Sequence, residues 1–312
     1  MRRLRRGIPG AALLALVLML GACGSGGDGQ EAEGGGGGGG GGGSKGQLTV
    51  GSESFPEAQI VGEMYAQVLE DAGYEIERQL NIDTREIRLP AMERGDIDVS
   101  PEYLASLLSV VDPETTASTD PAEVAKQLEG PLSEMGLEVL DYSDAVDTNA
   151  FVVTPEVAEE NDLSAVSDLQ PVASEMTLGG PAECPKRPFC IPGLRETYGV
   201  EFADFKALEY GPATVAALES GAVDVALLFS TDPIVADRGL VVLEDDKDLQ
   251  AADNITPLIR EDAESGDLVN ALNDVSQALT TEEITDLNAQ VAVEQEDPAD
   301  VARGYLEEKG IL

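Results

Sequence analysis

The chain has 312 residues, with 19 basic against 60 acidic side chains and a formal net charge of −41. That balance excludes a nucleic-acid binder, because phosphate contacts need clustered Lys and Arg. The chain has no histidine, which removes the usual general base and the commonest transition-metal ligand, and it holds neither a Walker phosphate loop nor a strand-to-helix nucleophile elbow.

In chain order, the first segment reads as an export signal. Arg2, Arg3, Arg5 and Arg6 precede ten apolar residues, 11–20. That run is too short to cross a ~30 Å hydrocarbon core as a permanent helix, and a charged start followed by a short apolar run is the grammar of a secretory signal. It ends in Leu20-Gly21-Ala22-Cys23, which resembles the bacterial lipobox. The resemblance implies cleavage after residue 22 and acylation of Cys23. Residues 24–46 are small and polar, with ten consecutive glycines over 34–43. They bury no apolar surface and read as a tether with a span of roughly 25 Å. Loss of residues 1–22 removes four arginines and no acid, which takes the charge from −41 to −45. Acids spread along the whole remaining chain read as a solvated surface.

Residues 47–51 predict a strand, and Pro56 opens a helix whose apolar spacing runs over 58–72 until Gly73 ends it. A second strand is predicted over 74–82, a helix capped by Thr84 over 85–94, a stop at Gly95, and a third strand over 97–99. Strands alternating with helices predict an α/β fold with a largely parallel sheet. The run Ala91-Met92-Glu93-Arg94-Gly95-Asp96-Ile97-Asp98-Val99 is echoed by Ala217-Leu218-Glu219-Ser220-Gly221-Ala222-Val223-Asp224-Val225. The echo suggests two similar lobes in one chain. Crossing strands are expected at 149–154 and 254–260, followed by helices near 266–279, 281–293 and 298–309. The first lobe would then hold 47–148 plus 255–312, and the second 149–254. Cys184 and Cys190 are the other two cysteines. An exported chain meets an oxidising compartment, so a disulfide is expected between them, and no further ligands suggest zinc.

Gly51-Ser52-Glu53-Ser54-Phe55-Pro56-Glu57, then Thr84-Arg85-Glu86-Ile87, then Gly95-Asp96-Ile97-Asp98-Val99-Ser100-Pro101-Glu102-Tyr103 resemble, in order and spacing, the solute-binding proteins of glycine betaine/choline-type ABC importers. Similar agreement recurs at Pro192-Gly193-Leu194, over 224–232 and over 287–306. The resemblance implies a two-lobed periplasmic-binding-protein fold, type II-like, with a hinge and a central ligand cleft. It also implies a monomer without cofactor that works outside the cytoplasm, delivering an osmoprotectant to a permease driven by an ATPase.

In open α/β sheets, ligands sit beyond the carboxyl ends of the strands, where helix N-termini offer free N–H groups. On that rule the first lobe presents Ser52, Glu53, Ser54 and Phe55, then residues 83–85 with Thr84 and Arg85, then Ser100 and Tyr103. The second presents residues 174–177, Tyr210 with the four residues after it, and Phe229, Thr231 and Asp232. The crossing strand adds Asn149, and Phe189 is a further candidate. Tyr65, Tyr198, Phe202 and Phe205 read as core. In the family, a quaternary ammonium group is held among aromatic faces, chiefly tyrosines, by attraction to the ring quadrupoles. Resemblance places Ser100 and Asn149 where tyrosines often stand, keeps an aromatic near Phe229, and places Glu53 where carboxylate-binding members often have a basic residue. The expected solute is therefore a choline-like cation, or a hydroxylated compound, in preference to a zwitterion, with Arg85 and Arg187 as the remaining carboxylate partners. Two other readings compete. One is a carboxylate-only enzyme built on a pair such as Glu53 with Glu102, and the other is a ligand sensor for a membrane receptor.

Overall fold

The computed structural model describes residues 44–82 and 84–312. The expected leader, Cys23 and most of the tether lie outside the described residues, as does Asp83. The segment Gly42–Leu312 is one compact unit. It contains all four buried apolar clusters of the described residues, so it carries what it needs to fold.

Two five-stranded sheets organise it. The first is ordered β2-β1-β3-β10-β4, from β1 (Gln47–Gly51), β2 (Glu75–Gln79), β3 (Val99–Tyr103), β4 (Leu137–Val139) and β10 (Ile255–Arg260). The second is ordered β7-β6-β8-β5-β9, from β5 (Asn149–Val153), β6 (Thr177–Gly180), β7 (Asp204–Ala207), β8 (Val225–Phe229) and β9 (Val241–Val242). In each, three strands run parallel and the fourth is antiparallel. That fourth strand arrives by a chain crossing: β10 returns to the first sheet and β5 enters the second. The crossings run side by side, bridged at Val146 and Asn254. Ile255 donates to the Ala145 carbonyl at 3.0 Å and Asp147 to the Asp253 carbonyl at 3.2 Å.

The sequence echo falls on equivalent places. Gly95 and Gly221 both sit at positive φ, 78° and 68°, where a side chain would be strained. Each ends a helix and feeds the central strand of its sheet. Asp98 Oδ2 then accepts the Thr49 N–H of β1 at 2.8 Å, and Asp224 Oδ2 accepts the Thr177 N–H of β6 at 2.7 Å. Each aspartate thus fastens its central strand to the neighbouring parallel strand.

Period-two alternation distributes the core. Leu258 and Ile259 are adjacent on β10 yet belong to clusters on opposite faces of the first sheet. In the second sheet, Phe151 and Val153 point into one cluster, while Ala150 and Val152 point into the other. Sheets covered by helices on both faces in this way are the expected outcome of βαβ connections. Tyr65 and Tyr198 are buried in the cores, and Phe202 and Phe205 pack against one of them. The Cys184 and Cys190 sulfurs are bonded.

The third strand corrects its expectation. It spans Val99–Tyr103, beyond the 97–99 read from sequence. Val-Ser-Pro-Glu-Tyr looks like a turn because proline cannot donate to a ladder. In the sheet, Pro101 stands opposite Pro257 on β10, so two residues without an N–H share one position.

Candidate functional site

The carboxyl ends of the parallel strands of both sheets open on one cavity of about 750 Å³. From the first lobe come residues 53–57, leading into the helix Pro56–Asp71, and Thr84 and Arg85 at the start of the helix Arg85–Glu93. Tyr103 ends β3 there. The second lobe contributes residues 181–183 after β6, 207–212 after β7, and 229 and 231–234 at and after β8. The crossings contribute Asp147, Thr148, Asn149 and Asp253.

Of the expected residues, Glu53, Ser54, Phe55, Thr84, Arg85, Tyr103, Asn149, Phe189, Tyr210, Phe229, Thr231 and Asp232 line this cavity. Ser52 and Ser100 do not. Both are fully buried, and their hydroxyls donate to the carbonyls of Glu53 and Pro101 at 3.0 and 3.2 Å. Ser100 lies inside β3 with its side chain in the sheet packing, not at the strand end. Residues 174–177 are also misplaced by sequence, because Thr177 opens β6. The carboxyl end of that strand is Gly180, and Pro181 to Glu183 line the cavity instead. Asn149 is already engaged, since its amide donates to the Phe189 carbonyl at 3.2 Å.

Four rings meet across the cavity. Phe55 and Tyr103 come from the first lobe, Tyr210 and Phe229 from the second. The Tyr210 and Phe229 centroids are 4.1 Å apart with planes at 21°, and Phe55 lies 5.0 Å from Phe229 and 6.2 Å from Tyr103. Tyr210 and Phe229 are stacked directly on one another and Phe55 packs against Phe229, so the solute meets the outward faces and edges of this cluster and not a gap between its rings.

The carboxylates fall into two groups. Glu102 is fully buried and takes Arg85 Nε at 2.8 Å and the Arg88 guanidinium. Burial disfavours its charge, but Arg85 and Arg88 outweigh that and hold its carboxyl below the usual range. Arg88 also lies 3.1 Å from Glu53. The pair of acids singled out for an enzyme is therefore tied together through one guanidinium.

The second group has no cation. Glu57 accepts hydrogen bonds from the Tyr103 hydroxyl (2.8 Å), the Thr231 hydroxyl (2.5 Å) and the Asn288 amide (2.8 Å). Burial pushes its carboxyl up. Asp147 accepts from the Ser230 hydroxyl at 3.1 Å and from the Thr231 N–H at 3.3 Å. Burial, reinforced by Glu57, raises it well above the ordinary value. Burial also raises Asp232, and it lifts Asp253, which is held by Ser106, to about 6. The cavity wall holds seven carboxyl groups, Glu53, Glu57, Asp147, Glu183, Glu209, Asp232 and Asp253, against the two guanidiniums of Arg85 and Arg187. Both guanidiniums are spoken for, Arg85 by Glu102 and Arg187 by Glu86 at 2.6 Å.

Sequence reasoning quoted Glu57 without giving it a role and missed Asp147 and Asn288 here. Glu57 follows Pro56 in a first helical turn, where an acid is ordinary. Asp147 sits in a stretch without periodicity.

Comparison with known proteins fits this geometry. Residues 46–308 match the family described as "Substrate binding domain of ABC-type glycine betaine transport system". The chain is 29% identical over 276 residues to the glycine betaine-binding protein YehZ of Escherichia coli strain K12, covering 84% of this chain and 90% of that protein. It is 25% identical over 276 residues to the carnitine transport binding protein OpuCC of Listeria monocytogenes, covering 85% and 87%. A crystal structure of a glycine betaine/carnitine/choline ABC transporter protein superposes with a TM-score of 0.66 at 23% identity, covering 85% of this chain and 99% of that one. At that identity the likeness bears on the fold.

Proposed function

Since the chain belongs to the family of substrate-binding domains of ABC-type glycine betaine transport systems, we propose that its cleft captures a small quaternary-ammonium solute outside the cytoplasm and passes it to a permease driven by an ATPase. Among such solutes, a choline-like cation suits the site better than a zwitterion. One observation carries this: a cluster of four aromatic rings, with Phe189 as a fifth, and seven carboxyl groups line the cavity, and both of its guanidiniums are already paired. A trimethylammonium group is attracted to ring faces and loses little hydration on entering. A solute carboxylate would have to displace Glu102 or Glu86 from an arginine, or face unpaired acids such as Asp147.

The relatives named for glycine betaine and carnitine support the quaternary nitrogen; the charge of the wall argues for the missing carboxylate. The site residues of this reading are Phe55, Tyr103, Tyr210 and Phe229 as ring faces and Glu57, Asp147 and Asp232 as counter-charges. Glu57 and Asp147 share Thr231 as a hydrogen-bond donor and neither has a cation, so a bound cation favours the ionised form of both.

The mechanism is closure without chemistry. The solute favours the closed form because its contacts come from both lobes, and the two antiparallel crossings are the hinge, with lobes of 47–148 plus 255–312 and 149–254. On this reading an acyl chain on Cys23 and the Gly-rich tether over 24–46 keep the monomeric binder concentrated at its permease. Calorimetric titration with choline, glycine betaine, carnitine and a polyol tests the solute. Choline should bind most tightly. Betaine binding more tightly than choline would overturn the cationic reading.

A further inference from the structure

The loop closed by Cys184 and Cys190 belongs to the second lobe by chain and touches the first by its side chains. We propose that this loop is a clasp: Arg187 and Phe189 tie the closed lobes together independently of solute, and so set how long the solute stays. The proposal goes beyond the identity of the solute and rests only on capture between two lobes.

The loop is built rigidly. The disulfide spans a separation of six residues. Its turns are bonded: the Arg187 and Lys186 N–H groups donate to the carbonyl of Glu183, just before the bridge, at 3.2 and 2.8 Å, and Cys190 N–H donates to the Arg187 carbonyl at 3.1 Å. Outside it, the Phe189 carbonyl accepts the Asn149 and Gln250 amides at 3.2 and 3.1 Å. Gly193 allows the next turn to close on the loop, since a Cβ there would lie 2.0 Å from the Pro188 carbonyl oxygen. A side chain at 193 would push the loop away.

Two side chains then reach across. Arg187 Nη2 meets Glu86 Oε1 at 2.6 Å, on the first-lobe helix Arg85–Glu93. Phe189 is partly buried against an apolar cluster drawn chiefly from the first lobe, with Leu89, Leu104 and Leu108, together with Ala252 of the second. Both residues also line the cavity, but neither contact needs it to be filled, which is why the solute-free scattering is the deciding reading. The ion pair is partly exposed, with side chains 22% and 49% accessible, so solvent screening limits it to about a two- to fivefold effect. The half-buried phenyl ring, packed against that cluster, carries more, about tenfold.

The test uses the compact unit 42–312 with its disulfide, and reads two quantities. Small-angle X-ray scattering without solute reports the fraction of open molecules, and stopped-flow displacement of choline reports its dissociation rate. Phe189→Ala should expand the solute-free protein and speed dissociation about tenfold. Glu86→Arg and Arg187→Glu should each speed it about two- to fivefold, and the double exchange should return both readings to the parent values, which a merely structural role would not do. Unchanged scattering in Phe189→Ala, or a double exchange as open as either single, would overturn the clasp. Absence of choline binding would sink the solute reading alone, because the scattering comparison is made without solute.

Discussion

Replacing Phe229 by Leu separates cation–π attraction from simple apolar burial. Phe229 is the hub of the ring cluster, 4.1 Å from Tyr210 and 5.0 Å from Phe55. Leucine keeps most of the apolar volume, and volume-conserving exchanges cost less than about 1.5 kcal/mol in stability. It removes one ring face from the solute. A desolvated cation–π contact is worth ~0.5–2 kcal/mol, so choline should bind roughly 2- to 30-fold more weakly, at about 1.4 kcal/mol per tenfold. The neutral carbon isostere 3,3-dimethylbutanol has the same shape without the charge. Two free ring faces at ~0.5–2 kcal/mol each are worth ~1–4 kcal/mol, so the parent should prefer choline over the isostere by roughly 5-fold or more, and Phe229→Leu should narrow the gap. Isothermal titration of both ligands against both proteins measures it. If Phe229→Leu binds choline as the parent does, or if the isostere binds as tightly as choline, the electrostatic reasoning fails.

Three further outcomes follow from other parts of the molecule. Arg88 is 1% exposed and joins Glu102 to Glu53, so Arg88→Met leaves Glu102 with Arg85 alone. Breaking a buried pair costs about 3–5 kcal/mol, and the retained Arg85 contact puts the loss near the lower figure in a urea melt. Asp253 titrates at about 6 in the fold against an ordinary 3.8. The folded form therefore holds this proton more tightly, and its contribution is fully present below about pH 4 and lost as pH rises through 6. Asp253→Asn should remove that slope, worth up to about 3 kcal/mol, as read from denaturation at pH 4 and pH 7. If Cys23 carries the anchor, the parent should sediment with membranes on cell fractionation and Cys23→Ser should stay out of that fraction.

The lobe-level plan was legible because it rests on local signals. Strand, helix and glycine stop recur at 91–99 and 217–225, and both copies became equivalent central strands with equivalent aspartate fasteners at Asp98 and Asp224. Apolar periodicity and the cysteine count are local too. The site was legible where it follows from topology: twelve of the fourteen expected ligand residues line one cavity. Ser100 failed because a strand end can be misread by a few residues, and a one-residue change of position turns a side chain from the cavity into the sheet; Ser52 does follow its strand directly, but its side chain is buried against Gly62 of the next helix. Proline in β3 hid that strand's extent.

By itself the sequence determined family, the alternation of strands and helices, the disulfide partners and the excess of acid. Those depend on neighbours in the chain and on totals. Tertiary structure decided which acids are free. Glu53 and Glu102 carry the same group as Glu57 and Asp147, yet the former share Arg88 and the latter have only hydroxyl and N–H donors, Thr231 among them for both. The partners lie up to 231 residues away in the chain. Whether a carboxylate is neutralised depends on which cation shares its few ångströms of low-dielectric space, and only the packing of the two lobes sets that.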